Sequence, residues 1–74
     1  MSEETPVLVT ITATMNEDVA WQLAQFCKRS TFNEFYDRTE EHLPREERTK
    51  RAYQMIAGID AIAAALEREG HKPR

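Results

Sequence analysis

The stretch Val7–Met15, VLVTITATM, constrains this chain more than any other part of it. Val, Thr and Ile fill most of its positions, a β-branched content that suits a pleated strand. Its side chains divide by period two. Val7, Val9, Ile11, Ala13 and Met15 fall on one face, and Leu8, Thr10, Thr12 and Thr14 on the other. No second segment reads as a strand, and a hairpin inside this one would need Gly, Asn or Asp where Thr10, Ile11 and Thr12 stand. Backbone groups left unpaired in a buried strand cost about 1–3 kcal/mol each. Three arrangements answer that cost. The strand pairs with its twin across a two-fold axis, it adds to another protein's sheet, or it lies extended against its own helices with solvated edges. The first is the most economical and predicts a homodimer held by an inter-chain antiparallel two-stranded ribbon.

Size points the same way. At 74 residues the chain has room for one small domain, and such a domain buries only about 60% of the surface its unfolded form exposes. Cys27 is the only cysteine, which excludes an internal disulfide and suits a reducing cytosol. Cys27, His42 and His71 lack ligand spacing, so neither a metal nor a cofactor is expected. A partner chain is the remaining support. The net charge of −3 is unevenly spread: residues 1–27 hold four acidic residues and no Lys or Arg, and all ten basic residues follow. That distribution argues against an N-terminal grip on phosphates, so nucleic acid is the less favoured partner. No apolar run approaches the roughly 20 residues that span a membrane, and the start MSEET lacks signal-peptide character. A cytoplasmic protein is expected.

Three helices should follow the strand, giving a mainly α, β-α-α-α chain. In MNEDVAWQLAQFCKRS, Asn16 is placed to cap, Glu17 and Asp18 occupy the first turn, and Lys28 and Arg29 the last. Val19, Ala20, Leu23, Phe26 and Cys27 are the expected buried face. In STFNEFYDRTEEHLP, Thr31 and Glu34 have capping-box spacing, and Phe32, Phe35 and Tyr36 form an aromatic face. Pro44 opens the third and longest helix, which runs from about Pro44 to Glu69. Ala52, Met55, Ile59, Ile62 and Leu66 alternate by three and four along it, with Ile56 and Ala63 beside them. Tyr53, Ala57, Ala61 and Ala64 lie roughly opposite, with Gly58 and Ala65 nearby. That side either meets a second backbone at close range or simply faces water. Gly70 should stop the helix, and Pro73 bars its continuation. Residues 1–6 are read as a flexible lead, 7–70 as the domain and 71–74 as a tail.

No constellation for catalysis is present. The chain has no Gly-rich phosphate loop, no paired carboxylates and no Cys–His arrangement, so an enzyme is not expected. The cluster PREERTKR interleaves Arg45, Arg48, Lys50 and Arg51 with Glu46 and Glu47. It reads either as a patch for a phosphate or acidic partner or as a solvated helix start with Glu46–Lys50 and Glu47–Arg51 pairs. Asp60 sits at the boundary between the two apolar stripes. Trp21 lies off the α-helical core line and is either an interface anchor or packed within its own chain.

Strand, helix, turn and helix resembles ribbon-helix-helix repressors, whose paired strands enter the DNA major groove. The chemistry departs from that pattern. No Lys, Arg, Asn or Gln lies in the strand, and Glu34 and Asp37 stand where phosphates would approach. AQFCKRSTFNEFYDRTEE and RAYQMIAGIDAIAAALEREGHKPR resemble a family of small uncharacterised bacterial proteins common on phage and plasmid elements. The resemblance rests on QF-x-KR, AYQM and the closing L-x-x-x-G-x-x-PR. It implies an accessory mobile-element protein and carries no catalytic residue over. By analogy with anti-CRISPR proteins, such a protein would bind and block a host or defence protein.

The expectation is therefore a non-enzymatic, dimeric protein–protein interaction module. Dimerisation would use Val9, Ile11, Ala13, Met55, Ile59, Ile62 and Leu66. An unidentified host protein would be met by Trp21, Phe35, Tyr36, Tyr53, Arg45 and Arg48. The alternative is a ribbon-helix-helix-like DNA-binding regulator.

Overall fold

The computed structural model describes residues 7–70; the expected lead at 1–6 and tail at 71–74 lie outside them. Three helices follow in order: α1 (Glu17–Arg29), α2 (Phe32–Asp37) and α3 (Arg45–Arg68). The polar signals set their limits. Asn16 precedes α1 with extended backbone, Glu17 and Asp18 complement the positive end of its dipole, and Lys28 and Arg29 the negative end. The Glu34 carboxylate reaches back to accept the backbone N–H of Thr31 at 3.0 Å and its hydroxyl at 3.2 Å, as the capping-box spacing predicts. Pro44 stands at the N-cap of α3 and lacks only an N–H that no helical carbonyl would have accepted. Gly70 ends that helix at φ 90°, a left-handed conformation that a side chain would strain.

The expected N-terminal strand is corrected. Among the described residues there is no strand, so the inter-chain ribbon that was to be built on it is not seen either. Val7–Met15 forms neither helix nor strand and makes no backbone hydrogen bond to another described residue, leaving Val7 91%, Leu8 88%, Val9 81% and Ile11 72% exposed. The physical reason is that β-branching and alternation describe side-chain preference, while a strand exists only through a ladder to another segment. Among the described residues there is no such segment. The fold is helical, with an extended apolar arm in front.

The helix α3 is the spine. Both α1 and α2 pack against it, α2 along its N-terminal half and α1 along its C-terminal half. Ala20 and Ala24 of α1 bury against Leu66 of α3, with Leu23 and Ile62 packed around them. Ala20 and Leu23 are members of the expected core face of α1, and the difference lies at Val19, Phe26 and Ala24. Val19 and Phe26 are 52% and 54% exposed, and the alanines take the buried places. Small side chains let two helix axes approach closely, and a Val or Phe at those positions would hold them apart. Ala52 is fully buried on the spine. The expected row continues as half-buried Met55, Ile59 and Ile62, down to buried Leu66, so none of its middle members is fully covered. The opposite side of α3 faces water: Ala57, Gly58, Ala61 and Ala64 are exposed. The radius of gyration is 14.8 Å, against about 11 Å for a compact domain of this length. The arm, exposed ahead of α1, contributes to that difference.

Candidate interaction surfaces

The N-terminal half of the spine carries the molecule's densest chemistry. Thr39, just beyond α2, is the one buried polar residue among those described. Its hydroxyl donates to the Tyr36 carbonyl at 2.6 Å and accepts from Arg48 Nε at 2.8 Å. A second guanidinium nitrogen of Arg48 donates to the same Tyr36 carbonyl at 3.1 Å. The guanidinium also lies 4.3 Å from the centre of the Tyr36 ring, a cation–π contact. One arginine on α3 thus ties down the end of α2 and its following turn. Beside it, the ring of Phe32 meets Tyr36 at 6.0 Å and Tyr53 at 5.2 Å, both tilted. Arg51 bridges to Glu40 at 2.8 Å and to Glu47 at 3.5 Å. The expected Glu47–Arg51 pair is present, and Glu46 and Lys50 do not pair. Between these groups opens a shallow cleft of about 370 Å³, bordered by Arg38, Thr39, Glu40, Arg51, Gln54 and Met55.

These contacts sort the residues expected to meet a partner. Tyr36 and Arg48 are committed to the clamp within the chain. Tyr53 meets Phe32 in a tilted contact and is 60% exposed. Phe35 and Trp21 are half-buried, and Arg45 is exposed at the start of α3. Trp21 makes a contact within the chain. Of the residues expected to dimerise, Val9, Ile11 and Ala13 lie on the exposed arm. Met55, Ile59 and Ile62 are half-buried along the spine, and Leu66 is enclosed by α1. The structure does not bring the arm residues and the spine residues together on one face.

Sequence reading missed Thr39 as the hub and the outward face of α1 as an apolar surface. The second had a signal: Met15, Val19, Gln22 and Phe26 follow one another by four, three and four, a seam spacing. A groove of about 270 Å³ runs beside that seam, bordered by Gln22, Gln25, Phe26, Arg29, Ser30 and Glu34. Gln25 Oε1 is buried there without a donor.

Cys27 lies where α1 faces α3. Burial pushes its thiol above the usual range, and the negative charge of Asp60 adds to the shift. A thiol held protonated in this way is a poor nucleophile. Among the described residues no three His, Cys, Asp or Glu side chains group to hold a metal, and no helix is long and apolar enough to cross a membrane.

No curated protein and no solved structure matches the chain. A family model does, over residues 1–74. The chain belongs to this family of unknown function (DUF7706).

Proposed function

We propose that the protein is a non-enzymatic interaction module that binds another protein, in keeping with an accessory role on a bacterial phage or plasmid element and the blocking of a host or defence protein. The observation that carries this reading is the surface left in water. The chain exposes 6549 Å², whereas a compact monomer of 8.6 kDa exposes about 4,700 Å². Among the described residues Val7, Leu8, Val9, Ile11, Val19, Phe26 and Tyr53 are all more than half exposed. Apolar surface on that scale in a small chain marks a place where another macromolecule sits.

The partner surface we favour is centred on Tyr53. Its ring is held by the tilted contact with Phe32 and is still more than half exposed, so it loses little freedom on binding. Lys50 lies one turn before it, and the open Ala57, Gly58 and Ala61 face one turn beyond, where another helix could approach closely. Arg48 and Tyr36 support this surface from behind. A ribbon-helix-helix DNA reader would need a paired N-terminal ribbon, and no observation favours that alternative.

The test is capture from bacterial lysate with the wild-type chain and with Tyr53→Ser in parallel. A protein retained by the first and lost by the second supports the reading. Retention of nothing by the wild type, together with tight and sequence-specific retardation of its own upstream DNA at moderate salt, would overturn it.

A further inference from the structure

Two apolar stripes run along α1, and only one is used by the fold. Ala20, Leu23 and Ala24 face the spine. Val19, Gln22 and Phe26 form the other stripe, roughly 120° round the helix at about 100° per residue, with Met15 just ahead of the N-cap Asn16, and all four are exposed. Asp18 and Arg29 flank this outer stripe on one side, at opposite ends of the helix. Both are exposed, and neither makes an ion pair with another described residue. In an antiparallel pairing about a two-fold axis, groups on the same flank at opposite ends of one helix face each other across the interface.

We propose that the outer face of α1 is a dimerisation surface for a second copy of this chain, paired antiparallel about an axis near Gln22, with Asp18 of each copy set against Arg29 of the other. The pairing is helix on helix and involves no β ladder. Val19 of each copy then packs near Phe26 of the other, and Met15 is directed to the groove of about 270 Å³ beside Phe26 and Arg29. The two Gln22 side chains meet close to the axis, where each amide can both donate and accept. The charge arrangement selects this orientation. A parallel two-fold pairing would put the Asp18–Arg29 flanks of the two copies on opposite sides of the seam, where neither charge meets its complement.

Area supports the same occupant. A helix of 13 residues is about 20 Å long, and its seam alone falls short of the roughly 800 Å² per partner that a stable complex buries. The arm supplies the remainder. Antiparallel pairing sends Val7–Met15 past the end of the other copy's α1 toward its α2, over up to about 30 Å of extended chain. Val7, Leu8, Val9 and Ile11 are exposed and available for that contact. This proposal is read at Asp18, Arg29 and Phe26 and the partner-binding reading at Tyr53, so the two fail separately.

Sedimentation equilibrium on the full chain tests it, with Asp18→Arg, Arg29→Asp and the double reversal. The wild type should be dimeric, each single reversal should weaken the dimer by about tenfold, and the double reversal should restore it to within about threefold of the wild type. The rescue is diagnostic, because both reversals oppose the helix dipole and would otherwise add. Phe26→Ser should be monomeric with its helical circular dichroism unchanged, which separates loss of the interface from loss of the fold. A wild type that stays monomeric at millimolar concentration, or a double reversal no tighter than the singles, would overturn the proposal. Dimers of Phe26→Ser as tight as the wild type would do the same. Capture by the Tyr53 surface should be indifferent to Asp18→Arg.

Discussion

The two halves of α3 are held to their neighbours by different physics. Along the N-terminal half, α2 is fastened by directional contacts: Arg48 to Thr39 and the Tyr36 carbonyl, its guanidinium over the Tyr36 ring, and Phe32 between Tyr36 and Tyr53. Along the C-terminal half, α1 is held by close approach, with Ala20 and Ala24 letting the helix settle on Leu66 and Ile62. The difference follows from length. A helix of six residues has little side-chain area to bury and is marginal on its own, so it depends on a few specific bonds. One of 13 residues can rely on a continuous seam. The α2 end should therefore be sensitive to which atoms are present, and the α1 end to how much space they fill.

Removing volume from the seam should break the comparison hardest. Leu66→Ala should lower stability by about 2–4 kcal/mol, read as a fall in urea midpoint, because Leu66 is the one large side chain buried in that cluster. Adding volume tests the same seam from the other side. Ala24→Leu should cost about 1–3 kcal/mol by forcing the helices apart, whereas Ala57→Leu, on the open side of the spine, should change thermal stability by less than about 0.5 kcal/mol.

The α2 end should answer to chemistry instead. Arg48→Met keeps the apolar stem and loses the bonds to Thr39 and Tyr36, and should cost about 1–2 kcal/mol. Arg48→Lys should recover little of it, since an ammonium cannot reproduce the planar fork. Hydrogen exchange should locate the loss in α2 and its turn while the α1 seam stays protected. The smallest effect belongs to Glu47→Gln, which removes one exposed i,i+4 pair and should cost a few tenths of a kcal/mol. Raising pH probes the seam through Cys27. Its thiol titrates higher in the fold than in the unfolded chain, so the unfolded state sheds its proton first. Stability is full below the unfolded thiol's pKa and declines as pH rises through it toward the folded value. Cys27→Ser should remove that slope.

How much of this was legible in the sequence depends on whether a feature is local. The helix ends were readable because their causes lie within a few residues: Glu17 and Asp18 at the start of α1, Thr31 with Glu34, and Gly70 at the stop. The spine's inward row through Ala52 and Leu66 was readable from its spacing. The N-terminal segment was misread because Val7–Met15 has the side chains of a strand without the second segment that would make it one. Val19 and Phe26 were placed inside with Ala20 because hydrophobicity ranks them above alanine, yet the separation between two helices decided for Ala24 beside Ala20. Arg48 looked like a surface residue because its partners lie nine and twelve positions upstream, and only the turn between α2 and α3 brings them to it. For the candidate surfaces, the exposed ring of Tyr53 was anticipated and the outer stripe of α1 was not.

Residue-resolved hydrogen exchange on the purified chain tests the central claim, that α3 is a spine with a helix fastened to each half and an unladdered arm in front. Slow exchange is expected along both halves of α3 and in α1, with the amides of residues 7–15 exchanging at rates close to those of an unstructured peptide. Alternating protection across residues 7–15, the mark of a β ladder, would contradict it.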